Sequence, residues 1–273
     1  MSTDTQIAQT TGSPQPGANA SIDLNADLGE GLGSWSMGDD LALLDIVTSA
    51  NVACGFHAGD PSIMRSVTQA AADRGVAIGA HVAYRDLHGF GRRFIDMEPD
   101  ALRDEVLYQI GALETFAQRA GTTIAYCKPH GALYNTIAKH PEQAAAVAEA
   151  LSEFRAGLPV LGLPGSVWLG AAQQAGLTPV GEAFADRAYT PDGSLVSRRE
   201  KGSVLHDAET IAERCVAMAK GEPITDVQGG ELILDARSIC VHGDTPGAVD
   251  IARTVRDALT GAGVQVEPFT AQA

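Results

Sequence analysis

What this 273-residue chain lacks narrows its function before any motif is read. No apolar run approaches the roughly 20 residues a membrane helix needs, so the chain is not expected to span a membrane. Basic residues are scarce: Lys plus Arg number 19 against 34 Asp plus Glu, a formal net charge of −15. That balance repels phosphate backbones and anionic lipid, which argues against nucleic acid and membrane surfaces as partners. Cysteine is sparse as well. Cys54, Cys127, Cys215 and Cys240 are scattered, form no CxxC pair and read as small buried hydrophobes, which suits a reducing cytoplasm.

Familiar catalytic signatures are missing too. No GxGxxG follows the first strand, no GxxxxGK[ST] cradles a nucleotide, and no GxSxG elbow presents a serine. There is no HxH or HExxH metal spacing. Met1 to Ala20 has neither a basic start nor an apolar stretch, so it reads as a disordered leader and not a secretory signal.

What is present from Ser21 onward is one recurring unit: a short apolar run, polar loop residues, then an amphipathic stretch closing in glycine. The runs lie at 21–27, 49–55, 76–82, 123–129, 159–165, 178–184 and 237–243. Asp60 before Pro61 marks a helix start and Gly75 its end; Pro99 to Gly121, Asp207 to Gly221 and Pro246 to Gly261 or Gly263 read likewise. Seven strands alternating with helices over residues 21–273 predict one α/β domain, a seven-stranded (β/α) barrel in preference to an open doubly wound sheet. Two insertions interrupt the pattern. Ala188 to Asp207, with its TPDG turn, reads as a hairpin carrying Arg198, Arg199 and Lys201, and Lys220 to Asp235 precedes the seventh strand.

Ionisable residues collect at the strand ends, which a parallel barrel brings to one rim. Asn25, Asp27 and Glu30 follow strand one; His57 and Asp60 follow strand two; His81 ends strand three. Lys128 and His130 end strand four, Glu182 with Asp186 and Arg187 ends strand six, and His242 with Asp244 ends strand seven. A lone histidine is usually structural, but four at equivalent positions are hard to explain as core filling, because buried imidazoles cost desolvation. Two chemistries fit. Asp27, His57, His81 and His130 could bind a divalent metal. Alternatively, imidazole and carboxylate act as acid and base while lysine and arginine hold an anion, and the missing metal spacings tilt the balance this way.

Smaller features have plainer readings. Gly29, Gly31, Gly33, Gly55 and Gly59 serve tight turns, with close approach to an anion as the alternative. HGFGRR at 88–93 reads as a flexible loop whose arginines could close over a carboxylate or phosphate. Trp35 and Trp168 read as packing anchors. Cys127 beside Lys128 is either activated or simply buried.

Six segments in order resemble one family: LNADLGEG (24–31), NVACGFHAGDP (51–61), GAHVAYRDLHGFGRR (79–93), KPHGALYN (128–135), EAFADRAYTPDGSLVSRR (182–199) and CVHGDTPGAV (240–249). The chain is similar to the LamB/YcsF family of 5-oxoprolinase A subunits from Ile22 to Pro268. The resemblance implies a barrel akin to glycoside hydrolases and polysaccharide deacetylases. It also implies cleavage of 5-oxoproline to L-glutamate coupled to hydrolysis of ATP, taken with Mg2+, in a complex with subunits B and C. On that basis Asp27, Glu182 or Asp244 activates water, while His57, His81, His130 and His242 relay protons or hold a metal. Asn25, Glu30, Lys128, Arg198 and either Arg187 or Arg93 contact substrate or phosphate. The rival expectations are a stand-alone metal-dependent carbohydrate deacetylase or hydrolase, against which the wide His81 to His88 spacing counts, and a non-catalytic binding subunit.

Overall fold

The computed structural model describes residues 21–242 and 247–272. The expected leader (1–20), Asp244 and Pro246 lie outside the described residues. In chain order the elements are β1 (Ser21–Leu28), α1 (Asp40–Leu44), β2 (Ser49–Ala53), α2 (Pro61–Asp73), β3 (Ala77–His81), α3 (Pro99–Arg119) and β4 (Tyr126–Cys127). There follow α4 (Gly131–Ile137), α5 (Pro141–Phe154), β5 (Pro159–Gly162), α6 (Val167–Gln174), β6 (Thr178–Phe184) and α7 (Ala208–Ala219). The chain continues with β7 (Ile224–Thr225), β8 (Glu231–Leu232), β9 (Ser238–Val241), α8 (Ala248–Gly261) and β10 (Gln265–Val266).

Strand β1 pairs in parallel with both β2 and β9, and this double pairing closes a seven-stranded barrel of β1–β6 and β9. The expected barrel is therefore present. Strand β10 extends the first two residues of β1, and the β7–β8 hairpin stands apart as its own antiparallel sheet. The helix signals hold where they fall on described residues. Asp60 caps α2, its carboxylate accepting from the backbone of Ser62 and Ile63, and Asp207 caps α7.

The two faces of the strands differ in character. Ile22, Leu24, Ala26 and Leu28 of β1, with Ala50, Val52, Ile78, Ala80, Ile239 and Val241, belong to the main apolar core. The alternate residues Asp23, Asn25, Ser49, Asn51, Glu182 and Ser238 bond to one another and are buried. With a strand period of two, hydrocarbon packs against the helices while a polar network fills the barrel. A small apolar cluster of Tyr126, Leu161, Val180 and Phe269 is the exception.

Some expectations shift in detail. The fourth strand is two residues long, although Lys128 and His130 continue its ladder by donating backbone N–H groups to Ala80 and Val82. The 188–207 insertion is held by the isolated bridges Arg187–Val204 and Tyr189–Leu195 in place of a regular hairpin. Trp168 is buried as expected, but Trp35 is 76% exposed and anchors nothing. Its loop after β1 packs through backbone, with the Trp35 carbonyl against Gly31, leaving the indole outside.

Candidate active site

Because parallel strands end on one rim, Asp27, Glu30, His57, His81, Lys128, His130, Glu182, Arg187 and His242 come together there, as their positions predict. Asp27, His81, Lys128, His130, Arg187 and His242 line a cavity of about 590 Å³, whereas Glu30, His57 and Glu182 are buried and not among its lining residues. The 188–207 insertion forms one wall, contributing Leu195, Val196, Arg198 and Arg199. Arg93 is not among the lining residues. Its guanidinium pairs with Asp86, and its neighbour Arg92 lines the cavity instead.

The floor is built on Lys128. Its ammonium lies 2.8 Å from Glu182 Oε1, 3.0 Å from Asp27 Oδ1, 3.2 Å from Asn25 Oδ1 and 3.0 Å from Cys240 Sγ. Burial would lower the Lys128 pKa, but Asp27, the Cys240 thiol and Glu182 outweigh it and hold the ammonium well above its usual range. Asp27 shows the reverse balance. Burial opposes its ionisation, yet His81 and Lys128 hold the carboxyl well below the usual range. Asn25 and Asn51 tie the floor together. Asn25 Nδ2 donates to Glu182 and Ser238, and Asn51 Nδ2 donates to Asn25 Oδ1 at 2.6 Å and Asp27 Oδ1 at 2.9 Å. Tyr134 also lines the cavity; its hydroxyl is buried, and burial, then the nearby Glu182, push it well above the usual phenol range.

Beside the floor sits a nest of three imidazoles and a carboxylate. His57 Nε2 is 3.1 Å from Glu30 Oε1, His130 Nδ1 is 3.5 Å from the same oxygen, and His130 Nδ1 is 3.0 Å from His81 Nε2. The His57 and His130 rings stack with centroids 3.8 Å apart. Burial first, then the neighbouring imidazoles, hold both His57 and His130 well below the usual histidine pKa, so both are neutral. The HGFGRR loop is pinned over this nest, contrary to the flexible loop its sequence suggests. Gly91 O accepts from Ala132 N, and Phe90, in a left-handed conformation at φ 53°, accepts from His130 Nε2.

These residues fit a metal. Glu30, His57, His81 and His130 each offer a donor atom within 4.8 Å of the others, and Asp27, Cys240 and His242 form a second such group. The first group replaces the Asp27 of the expected ligand set with Glu30, which the sequence pointed to only as a substrate contact. On the opposite side, His242 Nδ1 lies 2.6 Å from Asp186, and that partner keeps the Asp186 carboxyl low despite its burial.

The mouth is cationic: Arg92, Arg187, Arg198 and Arg199 all line it. Burial, followed by the nearby Arg198, brings the Arg187 guanidinium down to about 10. Tyr134 and Asn135 line the cavity and were not singled out from sequence as contacts, whereas Arg92 was expected only as one of the two HGFGRR loop arginines. Tyr134 and Asn135 lie within the KPHGALYN motif, so the motif itself carried a signal for them. No comparable signal separates Arg92 from Arg93. Cys127 is fully buried and its thiol is pushed well above its usual range by burial, so it is not an activated nucleophile.

Comparison with known proteins adds four findings. The model of the LamB/YcsF family matches residues 22–273. A Mycobacterium avium (strain 104) protein, named as the A subunit of 5-oxoprolinase, is 61% identical over 250 residues, covering 92% of this chain and 99% of that protein. A Kocuria rhizophila protein of the same name is 58% identical over 248 residues, covering 91% and 98%. A crystal structure of a lactam utilization protein from Thermus thermophilus is 42% identical and superposes with a TM-score of 0.87, covering 91% of this chain and 100% of that one.

Proposed function

The chain belongs to the LamB/YcsF family, and from that premise we propose that it is the A subunit of a cytoplasmic 5-oxoprolinase. It opens the lactam of 5-oxoproline to L-glutamate, coupled to hydrolysis of ATP to ADP and phosphate, in a complex with B and C subunits. The family relation and the names of its relatives support the substrate. The observation that carries the chemistry is an ionised carboxylate, Asp27, at the floor of a cavity with an arginine-lined mouth.

The substrate is an anion, and Arg187 and Arg198 provide charge for its carboxylate. Asp27 is the water-activating base. It stays ionised, it lines the cavity, and its side chain retains 12% exposure, whereas Glu182 has none. Opening the ring requires water to attack the lactam carbon, the C–N bond to break and the nitrogen to gain a proton. Tyr134 and His242, the latter held by Asp186, are the cavity-lining groups that supply a hydrogen bond or a proton. A lactam is a poor electrophile. Phosphorylation of its oxygen by Mg2+-bound ATP gives water a better target, which accounts for the coupling. The chain carries no GxxxxGK[ST] loop, so the nucleotide sits on a partner protein or reaches in along the arginine wall.

The test is glutamate release from 5-oxoproline by this chain alone, by the chain with B and C, and by each mixture without ATP. Turnover only with all three proteins and ATP supports the proposal. Retained turnover of Asp27→Ala or His130→Ala in the full complex removes those residues from the mechanism. The histidine nest favours a second reading, a metal-dependent deacetylase. ATP-independent release of acetate from an acetylated sugar, with no glutamate release, establishes that reading instead.

A further inference from the structure

We propose that Glu30, His57, His81 and His130 form a binding site for one divalent transition-metal ion of the zinc, manganese or iron class, with Asp27 outside the ligand set. The site lies on the rim assigned to lactam opening, yet the inference rests on histidine geometry and stands whether or not that reaction is correct.

Tautomers carry the argument. His81 Nδ1 lies 2.8 Å from the backbone oxygen of Lys128, and His130 Nε2 lies 2.9 Å from that of Phe90. A carbonyl oxygen can only accept, so each of those nitrogens bears the hydrogen. The other nitrogens, His81 Nε2 and His130 Nδ1, are acceptors whenever the rings are neutral; they face each other at 3.0 Å, and His81 Nε2 also lies 3.3 Å from Asp27 Oδ1. Glu30 Oε1 adds a third acceptor 3.5 Å from His130 Nδ1. Acceptors converging in a buried site repel unless a cation or a proton lies between them. With His57 Nε2 3.1 Å from Glu30 Oε1, four donor atoms lie within 4.8 Å of one another, an arrangement that one metal ion fits.

Spacing agrees with this choice. Two ligands each about 2.0–2.1 Å from a tetrahedral ion stand about 3.4 Å apart. The observed neighbours stand at 3.0, 3.1 and 3.5 Å. A backbone carbonyl holding the remote ring nitrogen is also the usual outer support of a metal-binding histidine. His81 and His130 have that support; His57 Nδ1 is buried and has no partner among the described residues, so His57 is the weaker, exchangeable ligand. Asp27 Oδ1 lies 3.3 Å from His81 Nε2 but is held by the Lys128 ammonium at 3.0 Å and by Asn51 at 2.9 Å, and it is not one of the four grouped donors. His81 and His130 line the cavity, so an ion here is reached from the substrate side.

The experiment titrates chelator-treated, full-length chain with Co2+, read by visible absorption, and with Zn2+, read by calorimetry. The expected result is one equivalent per chain, with affinity reduced at least 100-fold in Glu30→Gln and His81→Ala and less in His57→Ala. Thermal melting of each variant verifies folding, and the near-isosteric Glu30→Gln keeps the test valid if His81→Ala unfolds. Asp27→Asn retains the stoichiometry. Absence of saturable binding overturns the proposal. So does binding that survives Glu30→Gln but is lost in His242→Ala, which places the ion at the Asp27, Cys240 and His242 group. Glutamate release is assayed separately, so loss of either conclusion leaves the other measurable.

Discussion

Lys128 Nζ and Glu182 Oε1 lie 2.8 Å apart inside the barrel, joining the end of β4 to β6 through an ion pair that solvent barely reaches. Asp27 shares the same ammonium. One cation therefore balances two buried carboxylates, and Lys128→Met leaves both uncompensated. The expected loss is about 3–5 kcal/mol of folding stability. Glu182→Gln, which leaves the ammonium paired with Asp27, costs less. Urea unfolding of the two variants ranks them, and an equal or smaller loss in Lys128→Met overturns this account of the floor.

Asp23 provides a pH signature. Burial pushes its carboxyl up to about 6 from the ordinary 3.8, although Ser238, Ser49 and Thr48 all donate to it. A carboxyl whose folded pKa lies above its unfolded value is bound to its proton more tightly in the native state. Its favourable contribution is thus complete below about pH 4, declines as the pH rises to about 6, and is flat beyond that. Asp23→Asn removes this slope. Between pH 4 and 7 the stability of the variant relative to the native chain should rise by roughly 2 kcal/mol. Parallel urea-derived stability curves for the two proteins contradict the assignment.

Gly91 sits against the histidine nest at φ 62°, and a β-carbon there would lie 2.7 Å from His57 Cβ and 2.8 Å from His130 Cδ2. Gly193, in the TPDG turn at φ 77°, would bring its β-carbon no closer than 3.9 Å to its nearest neighbour. Alanine at either position bears the left-handed strain of about 1–2 kcal/mol. Only Gly91→Ala also displaces the imidazoles. It should melt well below Gly193→Ala and lose turnover in the assembled complex, whereas Gly193→Ala keeps its turnover. Equal behaviour of the two variants would falsify a packing role for Gly91.

The barrel and most of its rim were legible because parallel strands place their ends together, so counting residues to each strand end was enough to gather His57, His81, His130 and His242. The polar interior was legible in principle, since Asp23, Asn25 and Asp27 alternate with Leu24 and Ala26. Which face turned inward depended on closure between β1 and β9, a contact more than 200 residues apart in sequence. Glu30 lies two residues beyond β1, where strand period no longer applies and loop geometry decides direction. Trp35 shows the same limit: its exposure follows from a backbone-packed loop that hydrophobicity alone does not anticipate.

Arg92 and Arg93 are the sharpest case, being adjacent, chemically identical and differently aimed. Arg93 is tied to the buried Asp86 carboxylate, and its own side chain is 67% exposed and outside the cavity lining. Arg92 lines the cavity and lies over the Phe90 ring, 4.8 Å from its centroid. An anionic substrate entering the mouth meets Arg92 and not Arg93. Arg92→Ala should raise the KM for 5-oxoproline about 10-fold or more in the complete complex, the scale of one charge-assisted contact. Arg93→Ala should leave KM within about twofold, since Arg93 does not line the cavity. Steady-state kinetics of both variants decide the matter: a larger KM effect from Arg93→Ala means that the loop turns over when substrate binds.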